Sequence, residues 1–434
     1  MADQRKEGTR RAAHAHCGSP QLNIMLHIDI TQALPGMTIA MPIMHAQRPD
    51  SILVKAGYQM DQTTIRRLTE LGQRSLWVAA PGFEVIDQYL SPSVEKARRE
   101  MHLLAERALS DLHDDRLWRR FQRDFTSTVS TLAETLMAEP TAALFTEESD
   151  TNEYRMIGHA ANTAYLATII GMKLQGYLVR QRKRLNAKHA TNIVNLAMGA
   201  MLHDAGLTRL PEAVLARWQE QHDEFDTAWQ KHAQQGHEML SGKIEPAAAA
   251  TVLHHHQYFD GSGFPQKANW DGRKSGLRGD AIHVFARIVT VADQFDELRT
   301  LYSSRPRPMV EVLANLTTGR MRRRFDPIIL RALLEIAPAY TPGRQVLLST
   351  GEQAFVVVWR PADPCRPKVA LVEDLSPLAR GEAPEHRFID LAMTPEVTIT
   401  QTMGMDVREC QFTLPPDIRP QGGHGLQYHA LDAA

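Results

Sequence analysis

Five groups of residues in the middle of this chain carry side chains that could hold a metal. They are His159, the pair His203-Asp204, His232, the run His254-His255-His256, and Asp293. Neutral imidazole nitrogens and carboxylate oxygens are donors that Fe, Mn and Zn accept. A two-metal phosphoesterase needs about six or seven such ligands, with one carboxylate able to bridge the ions. The count fits. Each group also has an ordinary explanation: a single helical histidine such as His159 is more often a satisfied core or surface residue, and a His-Asp dipeptide is common. Yet His203-Asp204 follows a small, apolar segment, 193–202, and polar groups at the end of a buried helix must be satisfied. Successive helical residues point about 100° apart, so of three adjacent histidines two can face one ion and one must point elsewhere. Asp293 ends the apolar stretch 288–292, an unusual setting for an unpartnered carboxylate. Taken together, the set points to metal.

These residues need a scaffold, and the pattern of the chain supplies a helical one. Segment 151–337 keeps helical periodicity, with breaks at Pro211, Pro246 and the Gly-rich 260–265. Ahead of it, 25–92 reads as a small α+β module. Short β-leaning runs at 26–30, 37–43 and 51–54 are separated by turns such as Pro35-Gly36. A helix follows from Asp61, with Ile65, Leu68 and Leu71 on one face and Gly72 as its stop, and then a strand at 76–78. Segment 93–150 reads as one or two long amphipathic helices linking the domains. Its stripe of Met101, Leu104, Ala108 and Leu112 suits a spacer, or a face that meets a second copy or a signalling partner. Segment 338–374 holds three strand-like runs, a small β appendage. A Pro- and Gly-rich, largely irregular tail is expected over 375–434, and a disordered one over 1–24. The expected fold is mainly α: a central helical bundle between a small N-terminal α+β module and a short C-terminal β appendage.

Composition narrows the function. The 434 residues, 43% of them hydrophobic, suffice for two or three cores. With 49 Lys plus Arg against 50 Asp plus Glu, no global field steers the chain to nucleic acid or to an anionic membrane. Any anionic ligand must be held locally. Cys17, Cys365 and Cys410 are widely spaced and form no CxxC pair, which fits a reducing compartment and argues against a thiolate metal site. No stretch approaches the roughly 18 apolar residues of a membrane span. The first twenty residues are polar and basic and show no signal peptide. A soluble, cytoplasmic protein is expected.

Segment 151–335 resembles the HD-GYP subgroup of the HD phosphohydrolase superfamily. His159, His203-Asp204 and Asp293 match the superfamily pattern of H, HD and D. His232 to Gly236 resembles its His-x-x-x-Gly element. The run His255-His256-Gln257-Tyr258-Phe259-Asp260-Gly261-Ser262-Gly263-Phe264-Pro265 is similar to the signature HHExxDGxGYP, and Asp293-Gln294-Phe295-Asp296 continues the match. The front module, through Leu34-Pro35-Gly36-Met37 and Leu76-Trp77-Val78, more faintly resembles the domain that often precedes HD-GYP in bacterial proteins. The resemblance implies a phosphodiesterase that hydrolyses cyclic di-GMP, a bacterial second messenger, to pGpG or GMP through a hydroxide bridging two divalent metals, Fe or Mn foremost. It implies that His159, His203, Asp204 and Asp293 hold one metal, and that Asp204 bridges to a second held by His232, His255 and His256. His203 and Asp204 then form the catalytic pair, and His254 is unassigned. Gly263, Phe264 and Pro265, with Arg305 and Arg307, are the candidate substrate contacts.

The chain departs from that pattern outside the metal ligands. The usual HDxGK reads His203-Asp204-Ala205-Gly206-Leu207 here, without the lysine. Gln257 replaces a glutamate and Phe264 a tyrosine. Arg155 stands where some members have a third-metal glutamate, which leaves two metals expected. Residues 267–275 lengthen the loop after the signature. A second expectation therefore stands beside catalysis: a degenerate module that binds metal and ligand as a sensor or protein-interaction domain.

Overall fold

The computed structural model describes residues 25–45, 48–89, 91–108, 110–142, 155–268, 272–300 and 306–420. The expected disordered segment 1–24, the last part of the expected C-terminal tail (421–434) and Arg305 lie outside the described residues.

The N-terminal module pairs β1 (Met25–Asp29) antiparallel with β4 (Ser75–Ala79), and β2 (Ile43–His45) with β3 (Arg48–Val54). Helix α1 (Gln62–Glu70) lies between β3 and β4, and the Asp61 carboxylate caps it by accepting from the Thr64 N–H at 2.7 Å.

The bundle begins earlier than the sequence suggests. Helices α2 (Pro92–Ala108) and α3 (Asp115–Ala138) are not a spacer. Met101, Leu104, Ala108 and Leu112 are buried in the same core as Tyr165, Ile169 and Ile170 of α4 (Arg155–Lys173). The stripe expected to meet a second copy is used up inside the chain. Short helices α5 (Gln175–Gln181) and α6 (Ala187–Ala190) lead to α7 (Ile193–Met201), α8 (Glu212–Gln221), α9 (Lys231–Leu240) and α10 (Pro246–His254). A two-residue hairpin, β5 (Lys267–Ala268) with β6 (Lys274–Ser275), forms part of the lengthened loop. Next comes α11 (Val284–Thr300), whose residues 284–296 are all buried. A helix buried all round sits at the centre of a bundle, and α11 packs on α4, α7, α10, α12 (Met309–Thr317) and α13 (Pro327–Leu334).

The C-terminal region corrects the expectation of three strands and an irregular tail after 374. It forms one six-stranded antiparallel sheet from β7 (Gln345–Leu348), β8 (Gln353–Val358), β9 (Lys368–Val372), β10 (His386–Asp390), β11 (Ile399–Thr402) and β12 (Met405–Asp406), in the order β10-β9-β8-β7-β11-β12. The last strands escape notice because they are short and polar on one side; His386-Arg387-Phe388 is a poor apolar run. Its central strands β8 and β9 are buried on both faces, and strand alternation divides their residues. Ala354, Val356, Val369 and Leu371 join the helical core, whereas Phe355, Val357, Ala370 and Val372 join the core of the N-terminal module. The molecule is mainly α, with this sheet as the wall between module and bundle. No described helix is long and apolar enough to cross a membrane.

Candidate metal centre

Five elements converge on one buried point. Helix α4 delivers His159, and the chain leaving α7 delivers His203 and Asp204. His232 lies in the first turn of α9, His255 and His256 follow α10, and Asp293 faces inward from α11. Their metal-binding atoms fall into two groups, Asp204-His232-His255-His256 and His159-His203-Asp293, each within 4.8 Å across.

Backbone carbonyls orient the imidazoles. The Nδ1 atoms of His203, His232 and His255 each lie 2.7 Å from the carbonyl oxygen three residues earlier, on Ala200, Trp229 and Val252. A carbonyl only accepts, so each Nδ1 carries the hydrogen and each Nε2 turns a lone pair to the centre. His159 is oriented by a carboxylate: its Nδ1 donates to Asp296 Oδ2 at 2.9 Å. Asn162 and Arg299 in turn hold Asp296, donating to its other oxygen at 3.2 and 3.1 Å. A histidine fixed from behind by a carboxylate is the common second support of a metal ligand.

The Nε2 atoms then crowd one another: His159 and His203 are 3.1 Å apart, and His232 and His255 are 3.3 Å apart. Two imidazole nitrogens at such distances share a proton or take a metal cation between or beside them. Asp204 faces both groups. Its Oδ1 lies 3.5 Å from His232 Nε2 and 3.6 Å from His255 Nε2, and its Oδ2 lies 3.5 Å from His203 Nε2 and 4.0 Å from His159 Nε2. Two acceptors at the centre, His256 Nε2 and Asp293 Oδ2, are buried without a partner. Orphaned acceptors, facing lone pairs and an all N/O donor set together fit divalent transition metals.

The electrostatics agree. Burial penalises the Asp204 carboxylate, but His203, His255 and His232 outweigh it and hold the group well below the usual carboxylate range. Burial drives the His232 imidazole down to about 4, and drives His256 well below its ordinary value with help from His255 and His232. Both therefore keep their lone pairs at neutral pH. His159 runs the other way, because its bonds to Asp293 and Asp296 overcome burial and favour a proton there.

Two glycines set the distances. A Cβ on Gly206 would come within 1.9 Å of the His232 carbonyl oxygen, so glycine lets the turn after Asp204 press against α9. A Cβ on Gly263 would meet the His256 carbonyl oxygen at 2.1 Å. The Phe264 ring accordingly stacks on His256, with centroids 4.6 Å apart. Gln257 donates to the Pro265 carbonyl at 2.7 Å and accepts from the Leu277 N–H at 2.6 Å. In this chain Gln257 is a clamp on the signature loop.

Other expected residues stand apart. His254 is half-buried, outside both groups, and burial lowers its imidazole to about 4. The Arg307 guanidinium pairs with Glu311 of α12 at 3.1 Å. Leu207 joins an apolar cluster with Leu210, Val214, Trp229 and Phe264.

Sequence reading assigns no role to Asp296, although it sits one turn beyond Asp293 on a buried helix, which was the available signal. It also misses a cavity of about 280 Å³ beside His256, lined by Trp218, Phe225, Trp229, Tyr258 and Arg324 among others. These residues come from three distant segments, and no local pattern links them.

Comparison with known proteins agrees on the central region. A family model described as "HD domain" matches residues 166–329. The cyclic di-GMP phosphodiesterase response regulator RpfG of Xanthomonas campestris is 37% identical over 146 residues, 32% of this chain and 35% of that protein. The 3'3'-cGAMP-specific phosphodiesterase 2 of Vibrio cholerae is 28% identical over 31% of this chain and 24% of its own length. The chain thus spans about a third or less of these two relatives. The cyclic di-GMP phosphodiesterase PA4108 of Pseudomonas aeruginosa is 22% identical over 70% of this chain and 74% of that one. A solved HDG"Y"P protein from Bdellovibrio bacteriovorus aligns with a TM-score of 0.39 at 14% identity, covering 71% of this chain and 98% of that one.

Proposed function

We propose, from the match of residues 166–329 to a family model described as "HD domain", that the protein is a cytoplasmic metal-dependent phosphodiesterase hydrolysing cyclic di-GMP to pGpG or GMP. The observation that carries the reading is Asp204, one carboxylate with an oxygen turned to each of two histidine groups. His159, His203 and Asp293 would hold one divalent metal and His232, His255 and His256 the other, with Asp204 shared. Fe or Mn suits the donors. When bound, such ions neutralise phosphate charge and acidify water enough to give a nucleophile near pH 7.

The chain's own groups do the rest. The carbonyls of Ala200, Trp229 and Val252 keep three imidazoles in one tautomer, so binding costs no reorientation. Asp296 does the same for His159. Phe264 and Trp229 close the apolar side of His256 and exclude water there. Gly263, Phe264 and Pro265, with Arg305 and Arg307, are the proposed substrate contacts, and Arg307 would exchange its pairing with Glu311 for a phosphate oxygen. The relatives' names, which specify cyclic di-GMP or 3'3'-cGAMP phosphodiesterases, support a cyclic dinucleotide as substrate.

Leu207 favours a second reading. An apolar side chain packed among Leu210, Val214 and Trp229 supplies no cation where the related motif has a lysine, so the site could bind metal and ligand as a sensor without turning over. The deciding experiment measures cyclic di-GMP turnover by iron- and manganese-loaded protein, with Leu207→Lys alongside. Turnover by the parent establishes the phosphodiesterase. Binding without turnover in both proteins establishes the sensor. A gain in Leu207→Lys at constant metal content, on the order of a hundredfold, identifies a weakened enzyme.

A further inference from the structure

The paired indoles of Trp218 and Trp229 extend the site beyond the metal groups. Their rings stack 3.8 Å apart at an interplanar angle of 9°. Trp229 is buried, with its ring 4.6 Å from that of His232 and 5.1 Å from that of His256. Its indole Nε1–H is buried without an acceptor. An orphaned donor beside a cavity is the kind of exception that a bound acceptor resolves. Trp218, half-buried, carries the stack outward to the wall of the 280 Å³ cavity.

Phe225 is 73% exposed and lines the same cavity. It does so on a constrained loop, since Asp223 Oδ1 accepts from the Phe225 N–H at 2.9 Å and Asp226 Oδ1 from the Ala228 N–H at 2.8 Å. The polar wall is equally fixed. Glu224 accepts two bonds from Arg324, at 2.6 and 3.0 Å, and one from the Tyr258 hydroxyl at 3.0 Å, while the guanidinium lies 4.4 Å over the Tyr258 ring. The volume falls near the lower end of the roughly 300–1,000 Å³ of small-molecule sites. It suits one nucleoside and not a whole dinucleotide. His256 belongs both to a metal group and to the cavity lining, so a phosphodiester held at the histidines sends its adjoining nucleoside into this cavity.

We propose that Trp218 and Phe225 are a stacking platform for one purine base of the cyclic dinucleotide, with Trp229 Nε1 donating to an oxygen of the bound ligand. This rests on the phosphodiesterase reading for the identity of the ligand, and on the cavity for the rest. Every nucleobase offers a π-face, and removing one base–aromatic stack weakens binding by about tenfold or more.

The test uses metal-loaded full-length protein and its Trp218→Ala and Trp218→Phe variants. Metal content and the Michaelis constant for cyclic di-GMP are measured, together with calorimetric binding of 5′-GMP. The expected result is a Michaelis constant raised about tenfold or more in Trp218→Ala, largely restored in Trp218→Phe, at unchanged metal content. An active parent whose Michaelis constant Trp218→Ala leaves alone overturns the platform and spares the phosphodiesterase. Loss of metal in Trp218→Ala also overturns it, making the residue a structural prop. A parent that turns over nothing, yet binds 5′-GMP in a manner weakened by Trp218→Ala, overturns the enzyme reading and keeps the platform. No turnover and no 5′-GMP binding overturn both.

Discussion

At the residue scale, Asp204 and Asp296 divide the work of two carboxylates. Asp204 serves both histidine groups, whereas each histidine serves one, so Asp204→Asn should strip more metal than any single histidine change. Elemental analysis of anaerobically purified protein checks this: about two equivalents in the parent, well below one in the variant. Asp296 acts from behind His159. Asp296→Asn should weaken metal binding by about ten- to a hundredfold, measured by chelator competition, with the loss concentrated on the metal that His159 would hold. Among the seven candidate ligands, His203, Asp204 and Asp293 stand out beside apolar segments and His255-His256 in a dense motif, whereas His159 and His232 gain weight through the family resemblance. Asp296 was harder to single out, because a residue that orients another carries no signature of its own. Trp218 and Arg324 were out of reach, since only the packing of α8 and the chain after α12 against the signature loop makes them neighbours.

Among the elements, the signature loop shows how a substitution can be read wrongly from type alone. A glutamine in place of glutamate suggests a lost acid. In the structure Gln257 must donate to Pro265 and accept from Leu277 at once, which an amide can do and an ionised carboxylate cannot. Gln257→Glu should therefore destabilise the protein by about 1–3 kcal/mol, read as a lower midpoint in urea, instead of raising activity. The helices of the bundle were legible from their period, and α11 from its apolar run. The roles of α2 and α3 were not, because an amphipathic stripe shows that a partner exists without saying whether it lies in the same chain. Strands β10 to β12 were missed for the opposite reason: edge and near-edge strands bury little, and their alternation is weak.

For the whole molecule, the six-stranded sheet is the organising feature. Phe355 faces the N-terminal module and meets Phe83, with ring centroids 6.4 Å apart, while its neighbours Ala354 and Val356 face the bundle. Phe355→Ala should cost about 3–5 kcal/mol. Calorimetry should show one shifted transition for the entire protein, because the strand belongs to both cores; two separated transitions would mean that module and bundle unfold independently. The same alternation bears on inheritance. Fusion proteins are often assembled by joining an input domain to an output domain through a flexible tether, and either half can then be exchanged. Here the join is a shared wall written residue by residue, with Phe355 and Val357 of β8 for one neighbour and Ala354 and Val356 for the other. A foreign domain grafted in place of residues 25–89 would have to match Phe355, Val357, Ala370 and Val372, or leave a sheet face bare. The two halves of this chain are thus bound to change together, each substitution on one side of the wall constraining what the other side can accept.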